Sequence, residues 1–160
     1  MARKKSVVRF LAPVEAPIKA YYGDKGRQYD WSVDPDNGFW LPIKAADGFG
    51  QHRGTDFECP PGTVVRAMAD GVVVRSRFES PLNVKEGAGL YILQLVMLIG
   101  FDSWVIKYSH LKASHVTPGQ RIQRGDAIAE SGNSGNVLSP YLHVDLMNLR
   151  HQWQPIPFDV

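Results

Sequence analysis

The stretch TVVRAMADGVVVRSR, Thr63 to Arg77, reads as strand, turn, strand. Val64 to Ala67 and Val72 to Arg77 are rich in β-branched side chains, which are stiff at χ1 and pack well on a pleated surface. Asp70-Gly71 between them is a turn signal, because glycine takes up positive φ at no steric cost. The same pattern extends outward from this stretch. Leu90 to Val96, Trp104 to Tyr108 and His143 to Leu146 are further strand candidates, and Pro118-Gly119 and Gly125-Asp126 mark turns. Helix signals are nearly absent. The expected fold is all-β: an antiparallel two-sheet sandwich or flattened barrel.

The chain has 160 residues. That suits one domain, since a domain of about 150 residues hides roughly 70% of its unfolded surface, and we expect a single domain over residues 1–160. Residues 1–50 form a less regular, aromatic-rich part carrying Tyr21, Tyr22, Tyr29, Trp31, Phe39 and Trp40. These rings either line a groove for an extended peptide or cover one end of the core.

With 44% hydrophobic and 21% charged residues, the composition is that of an ordinary globular protein. The formal net charge is +2 and Lys and Arg are scattered, so no stripe exists to track a phosphate backbone and nucleic acid is not an expected partner. Leu90 to Phe101 is interrupted by Gln94 and Gly100 and is shorter than the roughly 20 residues of a membrane span. It reads as one bent strand or two buried ones. Cys59 is the only cysteine, which rules out an intrachain disulfide and predicts a small, partly buried hydrophobe. The basic start is followed by Ser6 to Val14, which Arg9 and Pro13 break, so no signal peptide is expected.

Two segments carry candidate metal ligands. His52-Arg53-Gly54-Thr55-Asp56 sets an imidazole and a carboxylate four residues apart, and in a strand of period two both point to one side. Tyr141-Leu142-His143-Val144-Asp145-Leu146 alternates, with Leu142, Val144 and Leu146 on an apolar face and Tyr141, His143 and Asp145 on a polar one. His, His and Asp suit zinc, which leaves its fourth position to water in catalytic sites. On spacing alone, a set of unrelated surface histidines is as good a reading.

The ordered set of motifs resembles the lysostaphin-like, or LytM-type, zinc metalloendopeptidases, whose fold is the duplicated hybrid motif. His52-Arg53-Gly54-Thr55-Asp56-Phe57 is similar to that family's His-x-Gly-x-Asp-hydrophobic motif. Tyr108-Ser109-His110-Leu111 resembles its Tyr-x-His-Leu segment, and Ser131-Gly132-Asn133-Ser134-Gly135 the stretch before its last motif. Leu142-His143-Val144-Asp145-Leu146 matches most of His-x-His-hydrophobic-acid, and the likeness runs from about Pro13 to Phe158.

The resemblance implies zinc held by His52, Asp56 and His143, with His110 as a catalytic histidine. It also implies hydrolysis of peptide bonds in bacterial peptidoglycan, at the cell wall. One departure is plain. Tyr141 stands where the family has the first histidine of its last motif; its hydroxyl can donate to an oxyanion but is a poor base at neutral pH. His115 and His151 match no catalytic position and read as surface residues.

Two other readings compete. A LytM-type module with impaired catalysis would bind peptidoglycan or a partner, a reading that Tyr141 favours. Val116 to Ala127 is also similar to the half-barrels of lipoyl and biotinyl carriers, but Arg124-Gly125-Asp126 offers no lysine for attachment.

Overall fold

A computed structural model describes residues 10–20, 25–27, 30–33, 40–43, 50–51, 54–96 and 104–148. All regular elements among them are strands: β1 (Ile18–Ala20), β2 (Lys25–Arg27), β3 (Asp30–Val33), β4 (Trp40–Ile43), β5 (Gly50–Gln51), β6 (Thr55–Phe57), β7 (Val64–Arg66), β8 (Gly71–Phe78), β9 (Leu90–Val96), β10 (Trp104–Ser114), β11 (Arg121–Ile122), β12 (Ala127–Ser131) and β13 (Leu142–Asn148). The all-β, antiparallel expectation therefore holds. No helix among the described residues is long and apolar enough to cross a membrane.

Nine strands share one sheet; seven follow the order β1-β6-β13-β10-β9-β8-β11, β12 and β7 branch from β10, and the sheet does not close into a barrel. Strand β10 is long enough to serve two neighbourhoods. Its first part pairs with β9 and β13, while Leu111 to Ser114 pair with β12, which in turn pairs with β7. Two further two-stranded sheets, the pair β2–β5 and the hairpin β3–β4, are separate from this one. Trp31 and Trp40 fall on the second of them; Tyr21, Tyr22, Tyr29 and Phe39 lie outside the described residues.

The alternation read in β13 is the alternation observed. Leu142 and Val144 are fully buried and Leu146 nearly so, while His143 and Asp145 on the other face stay partly accessible. The apolar face joins Phe57, Val65, Met68, Ile92, Ile106, Tyr108, Leu111 and Ile128 in one core, and Cys59 packs in that core as a small hydrophobe, buried more completely than the partial burial expected of it. The turn glycines Gly119 and Gly125 take φ of 89° and 94°, the conformation that glycine adopts without a Cβ penalty.

A polar network crosses the core. The Tyr108 hydroxyl donates to Gln94 Oε1 at 2.7 Å and accepts from the Met68 N–H at 2.9 Å, and Gln94 Nε2 donates to the Ala69 carbonyl at 2.5 Å. Each of these groups is buried, so each would be expensive to leave unpaired. Tyr108 precedes Ser109 and His110, so the network also pins β10 where the site begins. Tyr108→Phe should strand the Met68 N–H and Gln94 Oε1 and lower stability by about 1–3 kcal/mol. The urea midpoint should fall with the slope unchanged; an unmoved midpoint would show that the network adds nothing.

Candidate metal and catalytic site

Strand register assembles the site. On β13, His143 stands directly opposite Asp56 of β6 on one side and Ser109 of β10 on the other. Residues opposed in an antiparallel pair share a face of the sheet, with Cβ atoms about 4.5–5.5 Å apart. Asp56, His143 and Ser109 thus form one row across three strands, and His110 follows at its end.

Asp56 is fully buried, and its Oδ1 accepts a hydrogen bond from His143 Nδ1 at 2.7 Å. The other ring nitrogen, Nε2, donates to Asp145 Oδ1 at 3.0 Å. Burial pulls the His143 pKa down, but the charges and hydrogen bonds of Asp145 and Asp56 outweigh it and raise the pKa to about 10. A cation is what the buried Asp56 carboxylate and the partly accessible Asp145 carboxylate call for. A proton on the imidazole supplies one; a divalent metal that Asp56 and the His143 Nδ1 lone pair share would supply another. Asp145 would then hold the far nitrogen, the outer carboxylate that metal-bound histidines usually have. The donor set therefore fits zinc, whose ligands are imidazole nitrogen and carboxylate oxygen.

Sequence reasoning gave Asp145 no role, although the alternation through Val144 already put it on the His143 face. His52, the third expected ligand, lies outside the described residues, and among those that are described no cluster of three metal-binding side chains is complete. One expectation is corrected. A continuous strand from His52 to Asp56 is not found, because Gly54 forms a bend and β6 begins only at Thr55. The bend must be glycine: a Cβ on Gly54 would lie 2.5 Å from the Val144 carbonyl oxygen and 2.7 Å from the His143 ring.

His110 faces this pair. Its ring centroid is 6.1 Å from that of His143 and 5.0 Å from that of Tyr141, both edge-on. Its Nδ1 donates to the Ser134 carbonyl at 2.9 Å, which leaves Nε2 as the acceptor of a neutral imidazole. Burial, and then the neighbouring His143 charge, lower its pKa to about 4. Its φ is +64°, in the left-handed region, and it is the only described residue other than glycine with positive φ.

Tyr141 just precedes β13, so its ring reaches the site from a loop. Lys19 Nζ lies 5.5 Å from its centroid. His115 pairs with Glu130 at 3.6 Å and is half exposed, as a surface histidine should be, and His151 lies outside the described residues. The structure thus brings Asp56, His143, His110 and Tyr141 together.

Gly54→Ala tests the close approach behind this arrangement. The added methyl must displace backbone or the His143 ring, and overpacking of this kind costs about 1–3 kcal/mol. We expect lower stability together with weaker zinc retention on dialysis. Retention equal to the parent would show that His143 tolerates being pushed.

Residues 50–156 match Peptidase family M23. Among curated relatives, the peptidoglycan DD-endopeptidase ShyA of Vibrio cholerae is 40% identical over 96 residues, 60% of this chain and 20% of its own. The glycyl-glycine endopeptidase ALE-1 of Staphylococcus capitis is 30% identical over 103 residues, 61% of this chain and 25% of its own. The chain thus spans about a fifth to a quarter of the length of these relatives. Among solved structures, a zinc-containing peptidase from Vibrio cholerae aligns with a TM-score of 0.63 and 26% identity over 91% of this chain and 37% of that one. The catalytic domain of lysostaphin from Staphylococcus simulans aligns at 0.57 and 25% over 83% of this chain and 88% of that one. Most of the chain falls within the family match, and the chain belongs to Peptidase family M23.

Proposed function

We propose that this chain hydrolyses peptide bonds of bacterial peptidoglycan at the cell wall, as a zinc-dependent endopeptidase. The observation that carries this reading is the pairing of Asp56 with His143 Nδ1, braced by Asp145 and faced by His110. The relative named as a peptidoglycan DD-endopeptidase supports the substrate class, and the one named as a glycyl-glycine endopeptidase supports cleavage within a peptide. Zinc would be held by His52, Asp56 and His143. When bound it would supply Lewis-acid chemistry, bringing water to a pKa of about 7 and polarising a carbonyl.

The chain's own residues divide the remaining work. His110, with Nδ1–H committed to Ser134, presents the Nε2 lone pair to hold or take a proton from the attacking water. Tyr141 presents a hydroxyl that can donate to negative charge developing on the carbonyl oxygen. The reading as a non-catalytic module is not favoured, since Asp56, His143 and His110 all keep arrangements that mere binding would not require.

The test is digestion of purified peptidoglycans, with and without glycine cross-bridges, with released fragments identified by mass. Release should stop with chelator and return with zinc; release indifferent to chelator would overturn the metal-dependent reading. His110→Ala should abolish release while leaving zinc bound, and loss of zinc instead would make His110 a ligand. Tyr141→Phe removes a single donor and should slow turnover by about 10²–10³ if the hydroxyl faces the oxyanion. An unchanged rate would reduce Tyr141 to packing, and activity that appears only in Tyr141→His would move the non-catalytic reading into first place.

A further inference from the structure

Strand β10 carries an irregularity that the pairing of Asp56 with His143 does not require. Against β9, Tyr108 pairs with Ile92 and Leu111 with Leu90, so β10 spends three residues where β9 spends two. The extra residue is a bulge, a device that re-aims a side chain and opens the ladder. His110 lies in this bulge with φ of +64°, a conformation that costs a residue with a Cβ about 1–3 kcal/mol and persists only where its surroundings enforce it.

The enforcement comes from two loops. The His110 N–H donates to the Ala88 carbonyl at 2.8 Å, in the loop between β8 and β9. Its Nδ1 donates to the Ser134 carbonyl at 2.9 Å, in the loop after β12. The Ser134 hydroxyl then enters the opened ladder. It donates to the Leu111 carbonyl at 2.7 Å and accepts from the Leu90 N–H at 2.9 Å, two residues that oppose each other at the bulge.

The loops can come this close only because of their glycines. A Cβ on Gly132 would lie 2.5 Å from the Lys112 nitrogen and 2.9 Å from the His110 carbonyl oxygen, and one on Gly135 would lie 2.5 Å from the Gly89 nitrogen. Cross-loop bonds finish the clamp: Gly135 N–H to the Val84 carbonyl at 2.7 Å, Asn136 N–H to the Gly87 carbonyl at 2.8 Å, and Lys85 Nζ to the Asn133 carbonyl at 2.6 Å.

We propose that Ser134 is the positioning residue for His110: its hydroxyl fixes the loop on the bulge, and its carbonyl thereby holds the imidazole as the Nδ1–H tautomer with Nε2 turned to the site. This rests on the reading of His110 as catalytic, but the tautomer does not depend on that reading. A carbonyl oxygen only accepts, so a ring held by it must carry its proton at Nδ1. Ser134 bonds to Leu90, Leu111 and the His110 ring, and it acts on the site through His110.

The experiment uses zinc-loaded full chain with ¹⁵N-labelled histidine. Two-bond ¹H–¹⁵N spectra report the His110 tautomer in the parent and in Ser134→Ala and Ser134→Thr, alongside kcat and KM for peptidoglycan fragments. The parent should show Nδ1–H. Ser134→Ala should show a mixture of tautomers and a kcat lower by about 10–100-fold at nearly constant KM, the range typical of lost orienting partners and small misplacements. Ser134→Thr, which keeps the hydroxyl, should restore both. A parent in the Nε2–H form would overturn the proposal on its own, whether or not Ser134→Ala folds. So would Ser134→Ala with the Nδ1–H tautomer and kcat of the parent. If the parent cleaves nothing, the functional reading fails while the spectra still decide the role of Ser134.

Discussion

The register of β13 between β6 and β10 is the constraint on which the site depends. It places His143 opposite Asp56 and Ser109, and a slip by one residue would turn His143 into the core and Leu142 out of it. The force that holds the register is apolar. Leu142, Val144 and Leu146 are all buried, and each such side chain contributes about 1.5–3 kcal/mol. A hydrogen bond to a charged group contributes about as much as one of them. Three buried side chains against two hydrogen bonds from His143 decide the matter: the core sets where the polar groups stand.

What the core supports on its other face is costly by itself. Asp56 is a carboxylate with no accessible surface, and taking such a charge out of water costs several kcal/mol unless a cation accompanies it. His143 meets that need, held between Asp56 and Asp145, and for the same reason its proton is hard to remove without another cation to replace it. Close by in space, on β10, His110 sits in left-handed backbone that glycine would occupy more readily. A protein built only for stability would place neither feature on a sheet. Their meeting on one face, with rings 6.1 Å apart, is the mark of a site for which local rules are broken.

Much of this was legible in the sequence, and the limits have physical causes. The alternation of Leu142 to Leu146 gave both the strand and the face of His143, because the side-chain period of a strand survives any tertiary context. The role of Asp145 was within reach of the same alternation. The bulge at His110 was not, since a bulge is a relation between two strands and β9 shows no sign of it; the strand pattern in the sequence accordingly stops at Tyr108, whereas β10 runs on to Ser114. Strand β12 was hidden for a similar reason, its Ala127-Ile128-Ala129 being ordinary until paired with β7 and β10. Gly54 was legible as part of a motif but not as a bend, because what requires the glycine is the Val144 carbonyl and the His143 ring on another strand.

The most direct test of the account is a crystal structure of the protein grown with zinc. One ion should bind the Asp56 carboxylate and His143 Nδ1, with His143 Nε2 still hydrogen-bonded to Asp145 and His110 facing the ion from the bulge. An ion bound through His143 Nε2, with the ring turned away from Asp145, or an ion seated away from Asp56 would contradict it.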